Sequence, residues 1–170
     1  MTEQSSFHWY RSIFMRYIQT SDAPEPGAYS QAVLVDPGQS NLLFLSGQTG
    51  NIPGVEGEPV VGGGLGPQTT RALENISAIV RSAGGRVAHI VEIKVFLKDS
   101  ECIEEEKQRE RREARRTFGL AYVTFFEKHG LTQDNKNLPA RTLVWVSEIP
   151  LEYPHEDTLV EFTAIAAIPK

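Results

Sequence analysis

Two charged side chains stand inside apolar runs near the C-terminal end of this chain. Arg141 opens the run Thr142-Leu143-Val144-Trp145-Val146, and Glu161 sits in the middle of Leu159-Val160-Glu161-Phe162-Thr163-Ala164-Ile165-Ala166. A guanidinium cannot be neutralised in a protein, so at the head of an apolar strand it must find an anion. A carboxylate in such a strand is costly unless it is paired or its pKa rises. Residue types alone leave two readings of about equal weight. Either the two groups pair with one another, or Glu161 simply faces solvent, and nothing functional follows; or both belong to a functional site.

Other candidates for chemistry are weaker. The loop Gly62-Gly63-Gly64-Leu65-Gly66 precedes a helix start, where backbone N–H groups favour anions. It lacks both the Gly-Lys-Ser/Thr ending of a phosphate loop and the ribose-binding acid of a dinucleotide fold, so it reads as a turn. His8, His89, His129 and His155 are scattered, with no pair at a spacing that puts two rings on one face. No metal is expected. Cys102, the one cysteine, lies in a charged stretch and suits neither a disulfide nor a cysteine zinc site. Asn75-Ile76-Ser77 has the form of a glycosylation signal but falls within an expected helix.

The elements that must position Arg141 and Glu161 follow from the hydropathy pattern. Strands are expected at Met15–Thr20, Gln31–Val35, Leu42–Ser46, Val91–Leu97, Arg141–Val146 and Leu159–Ile168. Leu73, Ile76, Ile79, Val80 and Ala83 recur at helical spacing over Gln68–Ala83, with Pro67 in the first turn and Gly84-Gly85 as the stop. A second helix carries Tyr122, Phe125 and Phe126 inward and ends near His129-Gly130. Before it, Glu101–Arg116 holds six acidic and six basic residues in sixteen positions, a solvated extension of that helix. The order of elements implies an α+β fold, with two main helices on one face of a mixed or mostly antiparallel sheet.

The 170 residues suit one domain. A formal net charge of -5 disfavours a nucleic-acid partner, because phosphate binders are usually basic. No apolar run is long enough to span a bilayer, so no membrane role is expected. Sparse cysteine points to a reduced, cytoplasmic setting. The stretch Phe7–Ile18 imitates a mitochondrial leader, a reading that Glu3 and the aromatic residues weaken without closing.

The chain resembles the Rid family of reactive intermediate deaminases, also called YjgF-type proteins. The matching stretches are Pro26-Gly27-Ala28-Tyr29-Ser30-Gln31-Ala32, Leu45-Ser46-Gly47-Gln48 and Gln68-Thr69-Thr70-Arg71-Ala72-Leu73-Glu74-Asn75-Ile76. They continue through Ala83-Gly84-Gly85, Val95-Phe96-Leu97-Lys98-Asp99, Tyr122 with Phe125-Phe126, Pro139-Ala140-Arg141 and Val160–Ala166. They keep the family's order from Met15 to Ile168.

The resemblance implies a chorismate-mutase-like fold over residues 15–170, with Met1–Phe14 as an N-terminal extension and Glu101–Arg116 as a charged insertion. It implies a homotrimer with active sites between subunits. The reaction implied is cofactor-free hydrolysis of enamine or imine acids, of the 2-aminoacrylate and 2-iminopropionate type, to 2-keto acids and ammonia. Arg141 would grip the substrate carboxylate and Glu161 would orient or activate water. Tyr29 would supply a hydroxyl, and Ser46, Gly47 and Leu143 would line the cleft. The sequence departs from the family in three places: Leu143 replaces a frequent cysteine, Gly119 a frequent asparagine, and Ala28 a common proline. These changes leave open a bulkier imine or an aminomuconate-like acid as substrate. A non-catalytic protein that binds a small carboxylate is the other alternative, and nucleic-acid cleavage is a distant third.

Overall fold

A computed structural model describes residues 14–24, 27–57, 59–100, 103–149 and 158–170. Most of the N-terminal extension, His8, His155, Pro26, Glu101 and Cys102 lie outside these residues.

The chain opens with a hairpin of β1 (Met15–Ile18) and β2 (Ala32–Val35), which pair antiparallel. Next come β3 (Ser40–Gln48), α1 (Leu65–Ser82), a short 3-10 turn (Val87–His89) and β4 (Ile90–Lys98). The chain then runs through α2 (Glu104–Glu127), β5 (Ala140–Val146) and β6 (Val160–Pro169). Four strands form the main sheet in the order β3-β6-β4-β5. β6 is antiparallel to both its neighbours, whereas β4 and β5 run parallel with α2 as the crossover. The α+β expectation with a mixed sheet and two helices therefore holds.

Side-chain alternation explains the layering. Ile93, Val95 and Leu97 of β4 and Val160, Phe162, Ala164 and Ala166 of β6 are buried toward the helices. α1 answers with Ala72, Leu73, Ile76 and Val80, and α2 with Phe118, Tyr122, Phe125 and Phe126. Lys94 and Glu161, from alternate positions, lie on the other face.

Boundaries differ from expectation at one informative place. α1 starts at Leu65, not Gln68, because Gly63 (φ 94°) and Gly64 (φ 83°) take up the left-handed turn just before it. Leu65-Gly66-Pro67 thus forms the first turn, where the missing proline N–H has no partner to lose. The glycine loop is a helix entry, as its sequence suggested. Asn75 also gains a structural role: its side-chain amide donates to the Thr49 carbonyl at 3.1 Å and the Asn51 carbonyl at 2.9 Å. It ties α1 to the segment leaving β3.

The charged stretch is continuous with α2 from Glu104 onward, as expected. Asp99 anchors it. Arg111 donates to Asp99 through Nε at 2.9 Å and Nη2 at 2.5 Å, with Lys107 Nζ 3.6 Å away. The Arg111 hydrogen bonds, with smaller contributions from nearby positive charge, hold the Asp99 carboxyl below its ordinary value.

Candidate active site

Arg141 is the second residue of β5, paired with Ile93 of β4. Ile93 is buried against the helices, so Arg141 projects to the same side. Its guanidinium carbon lies 4.7 Å from the centre of the Tyr122 ring, 5.1 Å from Tyr29 and 5.5 Å from Phe118. No carboxylate of the described residues forms an ion pair with it. The anion demanded by the charge is thus missing from its surroundings, and ring faces stand in its place.

Tyr29 reaches this position through its neighbour. Ser30 bridges Ala140 in parallel, its N–H donates to the Pro139 carbonyl at 3.3 Å, and its Oγ donates to the Leu138 carbonyl at 2.5 Å. These bonds fasten the segment before β2 to the head of β5, one residue from each aromatic or cationic partner. Leu143, two residues along β5, points to the same side and packs against the core. Tyr29, Arg141 and Leu143 therefore form one group, completed by Phe118 and Tyr122 from α2.

Phe118 and Tyr122 were not among the residues singled out as a site. Their spacing of four puts both on one helix face, and that signal reads equally well as plain core. Burial pushes the Tyr122 phenol well above its usual range, opposed in part by the charge of Arg141 and a hydrogen bond with its side chain.

Glu161 belongs to a second group. It pairs with Phe96 and precedes Phe162, whose ring stacks on Phe118 at 6.2 Å. Alternation therefore turns Glu161 to the face of the sheet away from the helices. Between Leu45 and Gln48, β3 carries one residue more than β6 does between Ala164 and Phe162. This is a bulge made by Ser46 and Gly47, the kind of irregularity that re-aims groups at a sheet edge. The Glu161 carboxylate lies directly on Gly47: a Cβ there would overlap its oxygen and come within 2.9 Å of Cδ. A side chain there would have to push the carboxylate aside. Ser46, exposed, flanks the same spot.

The structure thus separates the expected residues into two clusters. Arg141 and Glu161 do not pair; β4 lies between their strands, and they project from opposite faces. Within one chain, therefore, the two groups do not neutralise one another. Among the described residues no group of three or more His, Cys, Asp or Glu is placed to hold a metal, and no helix is long and apolar enough to cross a membrane.

Comparison with known proteins converges on one family. The family model described as endoribonuclease L-PSP matches residues 20–168. The 2-iminobutanoate/2-iminopropanoate deaminase of Rattus norvegicus is 33% identical over 156 residues, covering 91% of this chain and 91% of the relative. The Escherichia coli K12 protein of the same name is 33% identical, covering 88% of this chain and 94% of its own length. Among solved structures, the E. coli YjgF gene product aligns with a TM-score of 0.57 at 31% identity, covering 89% of this chain and 98% of its own. E. coli TdcF, solved with bound serine, gives a TM-score of 0.57 at 29% identity and the same coverage.

Proposed function

Because this chain belongs to the endoribonuclease L-PSP family, the Rid or YjgF/RutC family, we propose that it hydrolyses the C=N bond of small 2-imino acids. The products are a 2-keto acid and ammonia. The observation that carries this reading is the Arg141 guanidinium, half-buried beside Tyr29 and without a carboxylate of the described residues to neutralise it. Such a group is prepared for an anionic ligand.

The chemistry follows from the side chains. A planar guanidinium holds a carboxylate by two parallel hydrogen bonds, which fixes the adjacent imine carbon. Positioning supplies much of the acceleration, since the imine is already electrophilic. Water adds to the carbon of the protonated imine while Glu161 takes one of its protons, leaving a neutral carbinolamine. Glu161 returns that proton to the amino group, which leaves as ammonia, and the hydroxyl gives up its proton to solvent as the carbonyl forms. Tyr29 offers its hydroxyl beside the carboxylate, while Ser46 and Gly47 floor the position of Glu161 and Leu143 lines the wall. This reaction requires no cofactor.

Arg141 and Glu161 project from opposite faces of one sheet, so a site that uses both is built from two copies of the chain. The open face suits association. Phe44 is 70% exposed, Leu42 48% and Val144 40%, all on the side away from the helices. A homotrimer with three clefts between subunits is the assembly we assign.

The test is a trapping assay. A threonine dehydratase generates 2-iminobutyrate while semicarbazide competes for it. Wild-type protein is expected to suppress trapping, and Arg141→Ala to lose at least about a hundredfold of that activity, the scale of removing one partner from a buried charge pair. Equal suppression by both would sink the assignment of Arg141.

A further inference from the structure

The Arg141 guanidinium is half-buried, and the described residues offer it three rings in place of an anion. Ring faces attract a cation within about 6 Å of their centres. The guanidinium is flat, with its N–H donors arranged around its edge. A salt bridge to a carboxylate of the chain would occupy that edge.

We infer that Phe118 and Tyr122 are positioning residues: their rings hold the Arg141 guanidinium in place without a carboxylate partner, so that its charge and N–H donors remain available to the substrate carboxylate. This rests on the deaminase reading and deepens it. The two rings come from one face of α2, four residues apart, and neither can turn away. Phe118 is stacked on Phe162 at 6.2 Å, and Tyr122 packs on Phe126 at 4.7 Å. Both side chains are essentially fully buried. A ring fixed from behind holds a cation in one place, and a carboxylate bound to that cation inherits the placement.

The experiment uses the full-length protein in its own assembly and 2-oxobutyrate, a stable 2-keto acid of the product class. Titration calorimetry gives the dissociation constant and the number of competent sites separately. Tyr122→Phe, which keeps the ring, is expected to weaken binding less than Tyr122→Leu. Phe118→Leu and Tyr122→Leu are each expected to weaken binding by about fivefold, the scale of one partly desolvated cation–ring contact. Site number should stay constant, and in the trapping assay KM should rise with kcat retained. Phe118→Met, which keeps most of the volume, decides the matter where a leucine variant does not fold.

The clamp is refuted by either of two results. Tyr122→Phe could weaken binding as much as Tyr122→Leu, which would make the hydroxyl the working group. Or the leucine variants could keep the wild-type dissociation constant and lose only sites, which would make the rings plain core. Arg141→Ala separates this from the broader reading. If it abolishes binding while the ring variants do not weaken it, the clamp alone falls; if it binds like wild type, both fall.

Discussion

The two faces of the four-stranded sheet treat charge in opposite ways. Toward the helices, Ile93, Val95 and Leu97 are completely buried, and the cation of Arg141 lies among aromatic rings. On the open face Leu42, Phe44 and Val144 are left exposed, and the carboxylate of Glu161 rests on the backbone of a glycine. These residues alternate along the same strands, so one step in sequence decides which environment a side chain meets. The lesson is that the two candidate catalytic charges are prepared separately, each on its own face, and meet only if another copy of the chain brings them together.

The comparison can be broken by substitution on each face. Phe162→Ala removes a ring from the covered face and should lower unfolding free energy by about 3–5 kcal/mol. Phe44→Ser, on the open face, should leave subunit stability nearly unchanged and reduce the mass of the assembly. Denaturant titration and light scattering read the two effects; a Phe44→Ser protein of unaltered mass would remove the open face from the interface.

Gly47→Ala tests the Glu161 side by itself. The glycine is not in the left-handed region, so alanine brings no backbone strain, only the overlap with the carboxylate. A displaced proton acceptor should lower kcat by about a hundredfold. Binding of 2-oxobutyrate, which depends on the Arg141 side, should hold. Loss of both together would show that the clusters are not separable.

The smallest effect lies in α2, whose charged half is fixed through Asp99. Arg111 lowers the Asp99 pKa in the folded state, so this link stabilises the protein above the unfolded carboxyl value of about 4 and is lost as pH falls through the lower folded value. Amide exchange near Lys107 and Arg111 should quicken in that acid range while residues around Phe126 stay protected. Asp99→Asn should abolish the pH step.

Much of this was legible in the chain. Six strands and two helices follow from periodicity, because a half-buried strand must alternate and a one-sided helix must repeat at three to four residues. The charged stretch read correctly as helix, since its opposite charges fall at helical spacing. The start of α1 was misplaced because Leu65-Gly66-Pro67 looks like loop; the turn is completed by Gly63 and Gly64, whose positive φ no residue type announces by itself. Phe118 escaped notice for a different reason. An aromatic residue at helical spacing signals a core, and its second use, as a seat for Arg141, depends on a strand that follows more than twenty residues later.

The sequence by itself determined the family, the layering and the two improbable charges, because these are recorded in residue types and short spacings. Tertiary structure decided what those charges touch. The bulge at Ser46-Gly47, the strand order β3-β6-β4-β5 and the tie from Ser30 to Leu138 are all long-range pairings. They put Arg141 on rings and Glu161 on glycine, on opposite faces. Contacts of that kind depend on the register between distant segments, which local pattern does not encode.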